Sequence, residues 1–306
     1  MGPTAILFNP SSGRGKSQKK RQKIESALKK QRINYRWFTS KSEKHLKKLA
    51  KSAAKEFPVV VAVGGDTTFQ IVASELLSAK TSAAMGMLGT GSTNDISRCL
   101  GLSCAKTLGK AINSRKTRHM DVGILEIPGK SPTLFLGVLS LGLGVAVNRY
   151  MSGFWSRHPI LKRGGDLMQN FAGIQGIRNS FRGGAVPSKI RMRTEDIDEW
   201  LDYALMTFSN INYYAGGLML TPDITPFDGQ LGCCIIQTQN WRQTVAIGLQ
   251  SRKKKHINNP HVRILAGSSF ELSSEIPIDV QYDGEVIPST SEFRISIEPA
   301  SLKIIG

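Results

Sequence analysis

Residues 58–68 read Pro58-Val59-Val60-Val61-Ala62-Val63-Gly64-Gly65-Asp66-Thr67-Thr68, and this stretch decides the fold. A continuous β-branched run before a glycine pair is the pattern of a parallel strand covered on both faces. Gly64-Gly65 ends it, and Phe69–Leu77 resumes at helical spacing. Upstream, Thr4–Phe8 (TAILF) is a short strand closed by the turn signal Asn9-Pro10. From Ser17 to about Gln31 the pattern is helical and basic, with Ile24, Ala27 and Leu28 on one face. Leu46, Leu49, Ala50, Ala53 and Phe57 repeat at helical spacing behind Ser42, a fitting N-cap. Downstream come a strand at Ala84–Leu88, a glycine loop and a helix from Asn94 to Leu100. Alternating strands and helices imply right-handed crossovers and a parallel sheet.

Beyond Asp121 the texture changes. Strand candidates follow at Val122–Ile127, Thr133–Leu139, Lys189–Thr194, Tyr203–Ser209, Cys233–Thr238, Val262–Gly267, Phe270–Leu272, Ile278–Tyr282 and Phe293–Glu298. Turn signals such as Pro128-Gly129 and Asp283-Gly284 separate them, which points to a β-sandwich or barrel. One helical insert, about Arg157 to Asn179, interrupts the series. The apolar stretch Leu134–Val147 is too short to span a bilayer, which takes roughly 20 residues, and reads as a buried strand turning into a loop. The expected class is α/β: a parallel-sheet domain over 1–125, then a β-sandwich-like domain with a helical insert over 126–306. The last strand is free to pack back on the first domain.

A chain of 306 residues with 40% hydrophobic residues, 30 Gly and 13 Pro is neither disordered nor collagen-like. Its four cysteines show no CxxC pair, so neither a zinc module nor a disulfide framework is expected, and a reducing compartment suits it. The opening MGPTAILF lacks the sections of a signal peptide, and Ile6 stands where a myristoylation signal needs Ser or Thr. A cytoplasmic protein is expected. Net charge is +18, and the first 56 residues hold 16 Lys/Arg against Glu25, Glu43 and Glu56. A second cationic run is Arg252-Lys253-Lys254-Lys255. Such asymmetry suits anionic partners, whether phosphate ligands, nucleic acid or acidic lipid headgroups.

Three glycine-rich loops follow strands, each able to aim backbone N–H groups at phosphate. The first, Asn9 to Ser17, ends in Gly-Lys-Ser, but Pro10 stands where a P-loop requires its first glycine. The second is Gly64-Gly65-Asp66-Thr67-Thr68. An acid there repels phosphate unless a cation intervenes, so Asp66 suits Mg²⁺; capping of the helix is the alternative. The third runs from Gly89 to Asp95, where Asn94 or Asp95 could equally cap a helix.

Taken in order, NPSSGRGK, GGDTT, GSTND (Gly91–Asp95), Asp121 in HMDVG, SLGLG (Ser140–Gly144), TPDITPFDGQL (Thr221–Leu231) and Asp283-Gly284-Glu285 resemble the diacylglycerol kinase catalytic family over nearly the whole chain. That family includes bacterial lipid kinases, sphingosine kinases and ceramide kinases. The resemblance implies an α/β nucleotide-binding domain, a β-rich domain and an active site in the cleft between them. It implies ATP and Mg²⁺ as cofactors and a lipid alcohol, diacylglycerol- or sphingoid-like, as substrate. Asn9, Gly13, Thr39, Gly64, Gly65, Asp66, Thr67, Thr68, Gln70, Gly91, Ser92 and Asn94 would line the ATP site. Asp66, Asp95 and Asp121 would organise Mg²⁺-nucleotide and water, and Glu285 would be the general base for the lipid hydroxyl. A further Mg²⁺ would take the Asp228 side chain with carbonyls of Thr225 and Gln230. Peripheral contact with an anionic membrane is expected through the basic N-terminal segment and Arg252–Lys255, and no nucleic acid. A stripe in the insert, Phe154, Trp155, Leu161, Leu167, Met168 and Phe171, would border an acyl-chain entrance or form ordinary core.

The chain departs from the family pattern at three places. Thr67 replaces the motif's third glycine, which a positive φ would strain. Ile71 stands where an acid is usual, and Gly89 where a proline is. Two other readings compete: an NAD kinase-like enzyme, and a non-catalytic basic protein that binds lipid or nucleic acid.

Overall fold

In the computed structural model, which describes residues 2–12, 17–91, 93–158, 161 and 165–306, four parallel strands form the N-terminal sheet. Of residues 17–19, 165–167 and 288 it describes the backbone alone. The strands are β1 (Thr4–Phe8), β2 (Tyr35–Thr39), β3 (Val59–Gly64) and β4 (Ala84–Gly89), in the order β4-β3-β1-β2. Every residue of β1 and β3 is buried, as their unbroken apolar runs require. Five helices do the covering: α1 (Ser17–Lys30), α2 (Glu43–Glu56), α3 (Asp66–Ser78), α4 (Asp95–Cys99) and α5 (Ala105–Ser114). Ser42 caps α2 through His45 N–H at 3.1 Å. β2 has no apolar run to announce it. As the edge strand it leaves Arg36 and Thr39 exposed.

The second half comprises β5 (Thr117–Glu126), β6 (Thr133–Phe135), β7 (Val138–Gly142), α6 (Leu143–Arg157), α7 (Gly165–Arg182), β8 (Ser188–Arg193), β9 (Asp198–Tyr203), β10 (Leu205–Ser209), β11 (Leu231–Ile236), α8 (Trp241–Ser251), β12 (Val262–Gly267), β13 (Ser269–Tyr282) and β14 (Glu285–Ile305). Its antiparallel order is β12-β11-β10-β7-β13-β14, with β5 beside β14 and the β8–β9 hairpin on β13. The two strand candidates at 270–272 and 278–282 are one strand, broken in register but continuous in chain. The helical insert is larger than its sequence pattern suggests, and Leu134–Val147 does not end in a loop. β7 passes straight into α6 at Gly142, whose φ is 66°. A Cβ at this residue would lie 2.5 Å from the Ala204 carbonyl oxygen, so only glycine makes the corner.

β14 joins the halves. Its residues Arg294–Glu298 pair with Glu126–Val122 of β5, and after an irregularity Leu302–Ile305 pair with Met120–Thr117. Ile304 also lies parallel to Met85 of β4, so the last strand completes the first sheet. The core follows the same division. Met120, Val122, Leu302 and Ile304 pack with β1, β3 and β4, whereas Leu125, Phe135, Phe208, Phe270 and Ile295 form a second cluster. A third, smaller cluster beneath the insert holds Leu143, Leu205, Ile236 and Ile247.

Gly142→Ala forces a side chain into a positive-φ corner and should lower unfolding free energy by about 1–3 kcal/mol. Gly248→Ala, inside α8 where a Cβ meets nothing, should raise it by roughly 0.5–1 kcal/mol. Urea unfolding of both variants measures the pair.

Candidate active site

Strand register sets the ends of the parallel strands side by side: Phe8 lies opposite Thr39 and Val63, and Gly64 opposite Gly89. Loops leaving the carboxyl ends of such a sheet form the usual ligand crevice. Asn9 leaves β1 with its N–H on Val63 O and its Nδ2 donating to Thr68 Oγ1 at 3.0 Å. Ser12 Oγ lies 2.7 Å from Thr90 Oγ1, and Thr90 N–H donates to Gly64 O at 2.7 Å. The second and third loops touch backbone to backbone: a Cβ on Gly91 would stand 3.0 Å from Gly65 Cα. That proximity is the physical use of the paired glycines.

Asp66 opens α3 inside this crevice. One carboxylate oxygen accepts from Thr93 Oγ1 at 3.0 Å, while Oδ1 is buried without a partner. Burial, then the charge of Asp283, pushes the Asp66 carboxyl up to about 7 against the pull of Thr93. Asp95 opens α4, accepts the Gly216 N–H at 2.8 Å, and is raised chiefly by burial. Its Oδ1 and the Oδ1 of Asn94 also lack a hydrogen-bond donor. Buried oxygens without donors call for a cation or ordered water. Among the described residues no cluster of three or more His, Cys, Asp or Glu is placed to hold a metal alone. The donor-free oxygens of Asp66, Asn94 and Asp95, the last of them 3.8 Å from the Arg98 guanidinium, are of the type that Mg²⁺ takes beside waters and phosphate.

The Asp283-Gly284-Glu285 turn approaches α4 from far along the chain: a Cβ on Gly137 would stand 2.7 Å from Asp283 Oδ1 and 3.3 Å from Ile96. Asp283 accepts three backbone N–H groups, from Leu136, Gly137 and Val138, at 2.7, 2.9 and 3.1 Å. Even so, burial pushes its carboxyl up to about 6. Asn148 of α6 donates to Gly284 O at 3.0 Å. Glu285 emerges half-buried at the head of β14, with Tyr282 Oη donating to its Oε2 at 3.0 Å. Tyr282 also lines a cavity of about 400 Å³ with Gln70, Ser74, Leu77, Thr133 and Leu134.

The remaining expected site residues are placed as follows. Gln70 bonds Leu134 O of β6 at 3.4 Å, so it faces the second domain and not a glycine loop. Thr39 is the exposed end of β2. Gly13 and Ser92 lie outside the described residues. Thr67 occupies the second position of α3 with no positive φ, so the expected strain is absent. Ile71 is buried in the α3 core face, where an acid would be an unpaired buried charge.

Two expected ligands already hold protein donors. Asp121 is buried with both oxygens on backbone N–H groups, of Gly229 at 2.8 Å and Ala300 at 2.7 Å. It knots β5 to the 226–229 loop and to the β14 irregularity, and does not face the crevice oxygens as a free ligand. Asp228 is exposed and accepts the N–H groups of Thr225 at 2.8 Å and Gln230 at 3.0 Å. The N–H groups of both residues thus close a hydrogen-bonded turn around its carboxylate. In the insert stripe, Trp155 is buried, Met168 half-buried, and Phe154 stacks on Tyr150, while Leu161 and Phe171 are exposed. The side chain of Leu167 lies outside the described residues. Sequence reasoning missed Thr93, Asn148 and Tyr282. Thr93 carried a signal as a hydroxyl within GSTND, and Tyr282 as a hydroxyl next to the acidic turn.

Residues 3–125 match the family model of the diacylglycerol kinase catalytic domain. Residues 180–306 match that of the YegS C-terminal NAD kinase beta sandwich-like domain. The chain is 22% identical to a diacylglycerol kinase of Bacillus subtilis, over 92% of this chain and 88% of the relative. It is 24% identical to a diacylglycerol kinase of Mycobacterium tuberculosis, over 100% and 95%. A crystal structure of a diacylglycerol kinase from Bacillus anthracis shares the fold, with a TM-score of 0.72 at 16% identity over 99% of this chain and 96% of that one.

A carboxyl whose pKa is raised by folding makes the native state the better proton binder, so stability falls as pH rises from the ordinary carboxylate range toward 7. In EDTA, Asp66→Asn should therefore gain on the parent between pH 5 and pH 8, by on the order of 1–2 kcal/mol at the upper end. Denaturant titrations across that range, with and without Mg²⁺, provide the check.

Proposed function

Because the chain belongs to the diacylglycerol kinase catalytic family, we propose that it is an ATP-dependent kinase that phosphorylates a hydroxyl of a lipid alcohol, diacylglycerol- or sphingoid-like. The observation that carries this reading is that the Asp283–Glu285 turn is held beside the helix that Asp95 opens: Gly137 donates to Asp283 at 2.9 Å, and a Cβ on it would stand 3.3 Å from Ile96 of α4.

Phosphoryl transfer is a problem of position and charge neutralisation. The backbone of the Gly64-Gly65 and Thr90-Gly91 loops would hold the phosphates, with the N-terminus of α3 facing them. Asp66, Asn94 and Asp95 would hold Mg²⁺, which when bound offsets the phosphate charge. Glu285 would accept the proton of the acceptor hydroxyl, its carboxylate aimed by Tyr282 Oη and its turn fixed by Asp283. The cavity beside Tyr282 and Gln70 would receive the substrate next to that carboxylate. Peripheral contact with an anionic membrane belongs to the same reading, since the substrate resides there. Among the described residues no helix is long and apolar enough to cross a membrane. A helical backbone at Thr67 removes the strain that would have favoured a non-catalytic protein.

Labelled ATP offered with a lipid extract, and separately with NAD, tests the assignment; the expected product is a phosphorylated lipid. Glu285→Gln should lower kcat by about 10²–10⁴-fold, the usual worth of a general base. Tyr282→Phe should cost about tenfold, as loss of one hydrogen bond to a charged group. Phosphorylated NAD, or unchanged turnover in Glu285→Gln, would reject the scheme.

A further inference from the structure

Two neighbouring helices, α7 and α8, both carry exposed apolar side chains with cations close by in the chain. α7 buries Ala172 and Ser180 and packs Ile177 and Phe181 against the small core beneath it. Its opposite stripe presents Phe171 at 49% exposure, Ile174 at 40%, and the cations Arg178 and Arg182. α8 packs beside α7. It buries Thr244, Ile247 and Ser251 and leaves Leu249 at 63% exposure. The chain then runs through Arg252, Lys253, Lys254 and Lys255, all exposed, to a 3-10 turn, Lys255–Asn258. There His256 is wholly buried, its Nε2 2.9 Å from Leu220 O, while its neighbour Ile257 is 46% exposed. The buried histidine anchors the run and leaves its neighbours facing water. No Asp or Glu occurs between Asp228 and Glu271.

The N-terminal helices differ in kind. They are strongly basic, with Glu25 on α1 and Glu43 and Glu56 on α2 as their acids, two of which are paired, to Arg21 and Lys47. None of the large exposed apolar side chains among the described residues lies on α1 or α2. Charge alone attracts anions, but charge with protruding apolar groups suits the headgroup and acyl boundary of a bilayer.

We propose that the α8 turn, Leu249 to Ile257, with the outer stripe of α7 beside it, is the surface on which this protein lies against an anionic lipid bilayer. The cations meet headgroups and Leu249 and Ile257 enter the boundary layer. α6 links this surface to the site: Asn148 holds Gly284, and Arg149 pairs with Asp279 of β13. Docking thereby orients the turn that carries Glu285. Its biological purpose rests on the lipid-kinase reading, but the contact itself is measurable without it.

The experiment is sedimentation of the full chain, without nucleotide, on phosphatidylcholine vesicles holding about 30 mol% phosphatidylglycerol. Replacing Arg252, Lys253 and Lys255 together by Gln should weaken binding on the order of 100-fold. Leu249→Ser with Ile257→Ser should weaken it several-fold, and what remains should vanish in high salt. A charge-matched triple on α2, Lys44, Lys48 and Lys51 to Gln, should lose less than about tenfold. Parental binding by the α8 triple, or an equal loss in the α2 triple, overturns the proposal. So does binding of the parent to single-stranded RNA but not to vesicles. Turnover of detergent-dispersed lipid reads the kinase assignment separately: its absence beside intact vesicle binding fails that assignment alone, and its presence with no vesicle binding fails this one alone.

Discussion

The arrangement depends on one half-buried carboxylate, Asp283, and the three backbone N–H groups that it accepts from Leu136, Gly137 and Val138. A buried acid is tolerated when its oxygens are fully engaged, because charge-assisted hydrogen bonds offset much of the lost hydration. Here the engagement fastens the β13–β14 hairpin onto the start of β7. It fixes where Glu285 leaves the turn, and it lays a second acid close to Asp66. The electrostatic tension of the crevice is thus a by-product of how the hairpin is held.

A second acid, this one buried, does related work at a different seam. Asp121 spends its oxygens on Gly229 and Ala300 and its backbone on Pro226 and Asn210. Four segments distant in sequence meet at that residue, which explains an aspartate inside a strand whose neighbours Met120 and Val122 are core.

The parallel sheet was legible because its strands are buried on both faces, so Val59–Val63 and Thr4–Phe8 are unbroken apolar runs. β2 was not, since an edge strand with Arg36 and Thr39 in water has no such run. α6 was obscured by its glycines, and the corner at Gly142 shows that a glycine there turns the chain into a helix and not out of one. Within the site, Asp66, Asn94 and Asp95 stood out as acids and amides beside glycine loops. The hydrogen bonds of Asp121 and Asp228 did not, because a carboxylate bound to backbone N–H groups looks the same in sequence as one without them. Tyr282 gained meaning only once the hairpin set its hydroxyl beside Glu285.

The strand at 302–305 closes the open side of β4 and pairs with the opening residues of β5. A folding intermediate that lacks this pairing therefore displays an open sheet edge on the nucleotide-loop half, the kind of surface that recruits stray strands.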